Sequence, residues 1–147
     1  MTNQSNRFHN ENLTLSDFYK EVLVVCLACQ KKAIAKVNFE TFLARLFCTH
    51  CGYNKECSTK LVKNGSIETA ANYYFNAELW LKAPFKNDVF WAYNDDHLTY
   101  LEGYINASLR EHKNRSGFTL LEKLPKFYHE AKNRDALLKI IAKLKNK

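Results

Sequence analysis

Two cysteine pairs, Cys26-x-x-Cys29 and Cys48-x-x-Cys51, stand eighteen residues apart in a chain of 147. No other feature restricts the fold as tightly. A C-x-x-C turn holds two sulfurs on one short loop. Two such loops facing each other supply four thiolates in a tetrahedron, which is how Zn²⁺ binds, at about 2.3 Å from each sulfur. An interval of roughly fifteen to twenty residues between the pairs is the spacing of a four-cysteine zinc site. A site of four protein thiolates leaves no position for water, so it is structural rather than catalytic. The expectation is one structural Zn²⁺ held by Cys26, Cys29, Cys48 and Cys51. Iron in the same pocket is a second reading. A thioredoxin-like redox pair is a third, but it needs one C-x-x-C opening a helix in a βαβ unit, which two matched pairs fit badly.

The remaining cysteine, Cys57, lies six residues past Cys51 and reads as a free thiol. His50 sits inside the second loop and is expected to point outward. Gly52 follows the second pair and suits a residue with positive φ. Gln30 holds the equivalent place after the first pair, where a left-handed backbone costs about 1 kcal/mol.

The odd count of five cysteines argues against a disulfide framework, and the polar opening "MTNQSNRFHNENLTLSD" lacks the apolar region of a secretory signal. The expected location is cytoplasmic. The longest apolar run, "VLVVC", is strand-sized and far short of the roughly 18 residues a membrane span requires. At this length the chain reads as one compact unit. Residues 1–19 form a flexible or partly ordered N-terminal segment, 20–93 a zinc ribbon with an aromatic β-hairpin, and 94–147 a basic helical region.

The predicted fold class is α+β: a four-cysteine zinc ribbon with antiparallel β-hairpins, followed by a C-terminal helical segment. Between the pairs, "KKAIAKVNF" alternates, with Ala33, Ala35, Val37 and Phe39 on one side. "FLARLFC" also fits a short helical stripe through Phe39, Phe42, Leu43, Leu46 and Phe47. Strand is the reading adopted, because the chain enters such a loop extended and the adjacent segment is β-branched. Asn64-Gly65 marks a turn. "AELWLKA" and "DVFWAY" read as a hairpin with Leu79, Leu81, Val89 and Trp91 inward. The aromatics Tyr73, Tyr74, Phe75, Trp80, Phe90, Trp91 and Tyr93 read as packing rather than as a base-stacking platform.

A helix capped by Asn94 or Asp95 follows, with a stripe of Leu98, Leu101, Ile105 and Leu109, ended by "NRSG" at 114–117. "TLLEKL" reads as a short helix, and Pro125 opens the next turn. Asn133 is expected to cap a last helix whose apolar face is Leu137, Ile140, Ile141 and Leu144.

Four glycines cannot build a P-loop or a dinucleotide fingerprint. His97, His112 and His129 lack spaced partners and read as surface or capping residues. No catalytic constellation and no small-molecule substrate site is evident, so a non-enzymatic module is expected. Residues 1–104 hold eleven basic and eleven acidic side chains, whereas 105–147 hold eleven against four. The whole net charge of +7 therefore lies in the last 43 residues. Such a concentration suits a polyanion, DNA or RNA, with Arg110, Lys113, Arg115, Lys132, Arg134, Lys139 and Lys143 as candidate contacts. The alternative is a protein–protein adaptor that uses the ribbon and hairpin, its lysines serving solubility alone.

"CLAC…CTHCG" resembles a zinc ribbon of the transcription-factor-B or replication-helicase type. A longer stretch, from "AELWLKAP" through "VFWAYNDDHLTYLEGYINASLREH" to "LPKFYHEAKNRDALLKIIAKL", resembles a family of uncharacterised bacterial zinc-ribbon proteins. Those proteins share a W-A-Y-N segment, an H-L-x-x-L-E helix and a closing L-P-K…A-K-N-R helix. The resemblance implies that the ribbon ligands are Cys26, Cys29, Cys48 and Cys51, and it implies no activity. Many members carry a further cysteine pair in the hairpin turn, and "APFKNDVF" has none here.

Overall fold

A computed structural model describes residues 7–8, 11–60, 66–107, 109–110 and 119–147. The Asn64-Gly65 turn, "NRSG" at 114–117, His112, Lys113 and Arg115 lie outside the described residues. The architecture is α+β. The strands are β1 (Arg7–Phe8), β2 (Glu21–Val25), β3 (Lys32–Asn38), β4 (Leu43–Phe47), β5 (Asn54–Ser58), β6 (Leu81–Phe85), β7 (Asp88–Ala92) and β8 (Leu109–Arg110). The helices are α1 (Asp95–Asn106), between β7 and β8, and α2 (Arg134–Lys145). The chain clusters into two compact units. A sheet unit comprises Ser16–Lys82 and Trp91–Asn94; a helical unit comprises Ala83–Phe90 and Asp95–Lys147 with the stretch up to Leu15.

In the sheet unit β2, β3, β4 and β5 form one antiparallel meander. Alternation decides its inner face, because successive side chains point to opposite sides. Val22, Val24, Ala33, Ala35, Val37, Ala44 and Leu46 are buried. The 3₁₀ turn Ala71–Phe75 covers them, and the small alanines of β3 and β4 let its backbone approach closely. Truncating the fully buried Leu46 to alanine costs about 2–5 kcal/mol. The helical stripe through Phe39–Phe47 is not realised. Phe39 and Phe42 lie in the turn between β3 and β4, where Asn38 Oδ1 accepts from the Glu40 amide at 2.8 Å and the Thr41 amide at 3.2 Å. The free edge of β2 is covered: Val25 N–H donates to Glu78 O at 2.9 Å, Trp80 N–H to Leu23 O at 3.0 Å and Leu23 N–H to Tyr93 O at 2.7 Å.

On the outer face the register lines up Glu21, Lys36, Arg45 and Glu56 across the four strands. Opposite charges stand side by side in the outer pairs Glu21–Lys36 and Arg45–Glu56, with Lys36 Nζ 3.4 Å from Glu21, whereas the central pair Lys36–Arg45 is like-charged. The next row is Leu23, Ile34, Phe47 and Asn54.

Strands β6 and β7 make the second hairpin, turning at Lys86–Asn87. Its inward residues differ from those expected. Leu81 is buried, but Val89 is 49% exposed, while Phe90 and Ala92 are buried. Both faces of "DVFWA" are apolar, so alternation alone could not choose the side. Contact made the choice: within the helical unit Phe90 packs on Tyr128 at 5.4 Å and Phe85 stacks on Phe127 at 5.2 Å. Phe75 and Tyr93 are also buried, whereas Tyr73 is 65% exposed.

Helix α1 opens with Asp95 and Asp96, whose charges suit the positive end of the helix dipole. It stops at Asn106, so Leu109 falls in β8 rather than on the helical stripe. Leu98, Leu101 and Ile105 are buried as expected, together with His97, Tyr100 and Tyr104. Helix α2 packs against α1, with Leu137, Ile141 and Leu144 buried and a Glu102–Lys145 ion pair between the two helices. Asn133 occupies the cap position of α2 without capping it. Its amide donates to Phe127 O at 3.2 Å and its oxygen accepts from Lys86 Nζ at 2.9 Å. "TLLEKL" contains only a 3₁₀ turn, Leu121–Lys123, and a second such turn follows Pro125.

His97 is therefore a core residue, not a surface one. Burial pushes its pKa from 6.5 down to about 4. The unfolded chain takes up this proton as pH falls below about 6.5, and the folded unit does not until about 4. Stability of the helical unit should thus be lost as pH falls through that window, by up to about 3 kcal/mol. Urea titrations across pH 7 to 4 should show this loss, and His97→Gln should flatten the difference.

Candidate metal centre

The two cysteine loops are the turns of two successive hairpins. Strand β2 runs into Cys26 and β3 leaves at Lys32; β4 runs into Cys48 and β5 leaves at Asn54. Because β3 and β4 are themselves paired, with Ile34 opposite Phe47, both loops fall at the same end of the sheet. That topology brings together sulfurs nineteen and twenty-five positions apart.

Each loop is built from the same two backbone bonds. In the first, Gln30 N–H donates to Cys26 O at 3.0 Å and Cys26 N–H to Lys31 O at 2.8 Å. In the second, Gly52 N–H donates to Cys48 O at 3.0 Å and Cys48 N–H to Tyr53 O at 2.9 Å. Closing the loop this way forces the residue after the second cysteine into the left-handed region. Gly52 has φ +81°, and Gln30 has φ +65°, the strained conformation its place in the sequence implied.

Cys26 Sγ lies 3.7 Å from Cys51 Sγ, and Cys29 Sγ lies 3.6 Å from Cys48 Sγ. All four sulfurs fall within 4.8 Å of one another. A tetrahedron with metal–sulfur bonds of about 2.3 Å has edges of about 3.8 Å, so the donor set is already at coordination spacing. The four cysteines are positioned to hold a metal ion, and this is the one such cluster among the described residues. Cys26 and Cys48 are buried under the sheet end, Cys29 is half-buried and Cys51 is exposed.

Four thiols this close cannot behave as independent acids. Burial raises the Cys26 thiol, but the amides of Cys29 and Ala28 and the neighbouring thiols outweigh it and bring its pKa to about 6. The two amide nitrogens lie 3.5 and 3.3 Å from its sulfur. At Cys29 the Lys31 amide favours the thiolate, yet burial and the other three sulfurs prevail and push it up to about 12. One sulfur sheds its proton readily and its neighbour then resists, which is the electrostatics a divalent cation resolves.

His50 is exposed and Cys57 lies on β5, its sulfur 3.4 Å from Ser58 O; neither belongs to the cluster. Of the basic residues read as phosphate contacts, Lys139 and Lys143 are exposed on α2 and make no ion pair among the described residues. Lys132 is exposed and sits 3.9 Å from Glu130. Arg134 is half-buried, its Nη2 donating to Ala107 O at 3.2 Å just past the C-terminus of α1. Arg110 lies in β8. Sequence reasoning missed Arg134's structural placement, and nothing in the local pattern "KNRDAL" distinguishes a docked arginine from a solvated one.

No protein-family model, curated protein or solved structure matches this chain. The class of protein defined by the fold and the site is an antiparallel sheet carrying a four-cysteine metal centre, joined to a two-helix unit.

Metal analysis of the purified chain should find one ion per molecule. Cys48→Ser or Cys51→Ser should abolish that stoichiometry, whereas Cys57→Ser should leave it intact; equal metal loss in all three would refute the ligand assignment.

Proposed function

We infer that the ion is Zn²⁺, that its role is structural, and that the chain is a non-enzymatic zinc-ribbon module which binds nucleic acid. The reading rests on the closed set of four cysteines. With every coordination position filled by protein, the ion offers no site for water or substrate and acts as a clasp. Iron would occupy the same tetrahedron, but a tetrathiolate iron centre absorbs visible light and a d¹⁰ zinc centre does not. A colourless protein whose metal is zinc supports the reading, and a coloured one overturns it.

The likeness of "CLAC…CTHCG" to transcription-factor-B-type ribbons, and of the longer stretch to uncharacterised bacterial zinc-ribbon proteins, is consistent with this assignment. So is a cytoplasmic location, where thiols stay reduced and metal-binding. No helix among the described residues is long and apolar enough to cross a membrane.

The nucleic-acid assignment is carried by charge. The excess of +7 sits wholly within 105–147, and Lys139 and Lys143 extend from α2 into solvent. Lysines free of local ion pairs release counterions when they meet phosphates, and the affinity they supply falls steeply with salt. Lys113, Arg115, Arg110 and Lys132 complete the proposed contact set. Arg134, held by Ala107 O, contributes to the helical unit instead of to phosphate binding.

Affinity for a DNA or RNA oligonucleotide should decline linearly in log–log form as salt rises. Changing both Lys139 and Lys143 to glutamine should reduce the slope by about two, one for each lost phosphate contact. No binding at about 50 mM salt, where such contacts are strongest, would exclude the phosphate reading. The reading left would be the protein–protein adaptor that uses the ribbon and the aromatic hairpin.

A further inference from the structure

The sheet unit contains a cleft of about 520 Å³ beside the first cysteine loop, lined by Val25, Cys26, Leu27, Gln30, Asn76 and Glu78. Among the described residues no lysine or arginine lines this cleft, and one carboxylate, that of Glu78, does. Two of its polar residues have left-handed backbones: Gln30 with φ +65°, which is strained, and Asn76 with φ +51°, an ordinary asparagine cap of the 3₁₀ turn before it. Gln30 is the more informative. The matching position of the other loop is Gly52, which adopts the same conformation without strain and meets nothing within 4 Å of an added Cβ. Glycine would therefore serve the first loop's backbone better, and what glutamine adds there is a side-chain carboxamide at the cleft.

We propose that this cleft binds the side chain of an arginine presented by a partner polypeptide. The lining residues Glu78, Gln30 and Asn76 carry a carboxylate and two carboxamides, side-chain groups that can accept hydrogen bonds. An arginine guanidinium carries five N–H donors in a planar fork and matches several acceptors at once, which a lysine ammonium does less well. Val25 and Leu27, the latter 44% exposed, provide apolar surface for the arginine's methylene stem. Electrostatics favours the same occupant. Four thiolates around a divalent ion keep an excess of about two negative charges, and Cys26 brings that centre to the cleft wall. The Glu78 carboxylate lies 3.8 Å from Lys82 Nζ, in a pair exposed on both sides and so easily exchanged for an incoming guanidinium. The cleft is independent of the phosphate-binding reading, and neither stands or falls with the other.

The test is a titration of the metal-loaded, ¹⁵N-labelled full chain with a blocked Ala-Ala-Arg-Ala-Ala peptide and with versions carrying lysine or the uncharged citrulline. Saturable amide shifts should appear at Val25–Gln30 and Asn76–Glu78 with arginine, weaken with lysine and vanish with citrulline. Glu78→Gln, an exposed change that leaves the fold intact, should weaken binding about tenfold, the loss expected for one charge-assisted hydrogen bond. Gln30→Gly should weaken binding while raising the melting temperature. The proposal is overturned if no shift appears in these segments up to about 10 mM peptide. It is equally overturned if Glu78→Gln binds as well as the parent, or if cytidine monophosphate gives the same saturable shifts and so marks a nucleobase site.

Discussion

Cys26 meets Cys51 and Cys29 meets Cys48 across the end of the sheet, and the rest of the sheet unit is organised around that crossing. The contacts join the β2–β3 turn to the β4–β5 turn, so an ion among the four sulfurs ties two hairpins together instead of stapling each loop to itself. Backbone pairing of β3 with β4 makes the same connection through hydrogen bonds. Either alone would be weak. Eighteen intervening residues must be closed into a loop before the sulfurs can meet, at an entropic cost that grows slowly with length. The free energy of metal binding is in this way also free energy of folding.

The two loops share one backbone plan and differ in what surrounds them. Cys26 and Cys48, the first of each pair, are buried where the strands end, and the second of each pair is less buried, Cys29 half-buried and Cys51 exposed. The first loop borders a cleft and tolerates a strained glutamine, whereas the second has a glycine and open space. A pair of loops related by pattern has thus diverged into one that anchors and one that both anchors and presents a surface. The chain's excess of seven positive charges lies wholly in the last 43 residues, outside the sheet unit that carries the cysteine cluster.

In the helical unit polar side chains are spent on holding elements together. Lys86 donates to Asn133, Arg134 to Ala107 O, and Tyr104 Oη lies 2.5 Å from His129 Nδ1. These bonds join segments 25 to 47 residues apart, which explains how an irregular run of 3₁₀ turns between the helices keeps a defined path. On α2, Lys139 and Lys143 remain exposed and make no ion pair among the described residues.

Local chemistry with a strict spacing was readable from residues alone. The C-x-x-C repeat named the four cysteines that the fold brings together in position to hold a metal ion, because tetrahedral coordination admits few chain paths. Strict alternation in "KAIAKVN" named the inner face of β3, and Gln30's left-handed backbone followed from its equivalence to Gly52. Wherever a segment was apolar on both faces, or a polar side chain had several partners within reach, the outcome depended on distant residues. Tyr128 and Phe127 selected Phe90 over Val89 as the inward side of the hairpin. Burial within the helical unit made His97 a core residue, and Lys86, forty-seven positions away, drew Asn133 from its expected cap. The cleft at the first loop, which needs Asn76 and Glu78 brought against Val25, likewise exists only in the folded chain. Spacing is a property of the covalent chain, whereas burial and partner choice are properties of its packing, and that is where the division falls.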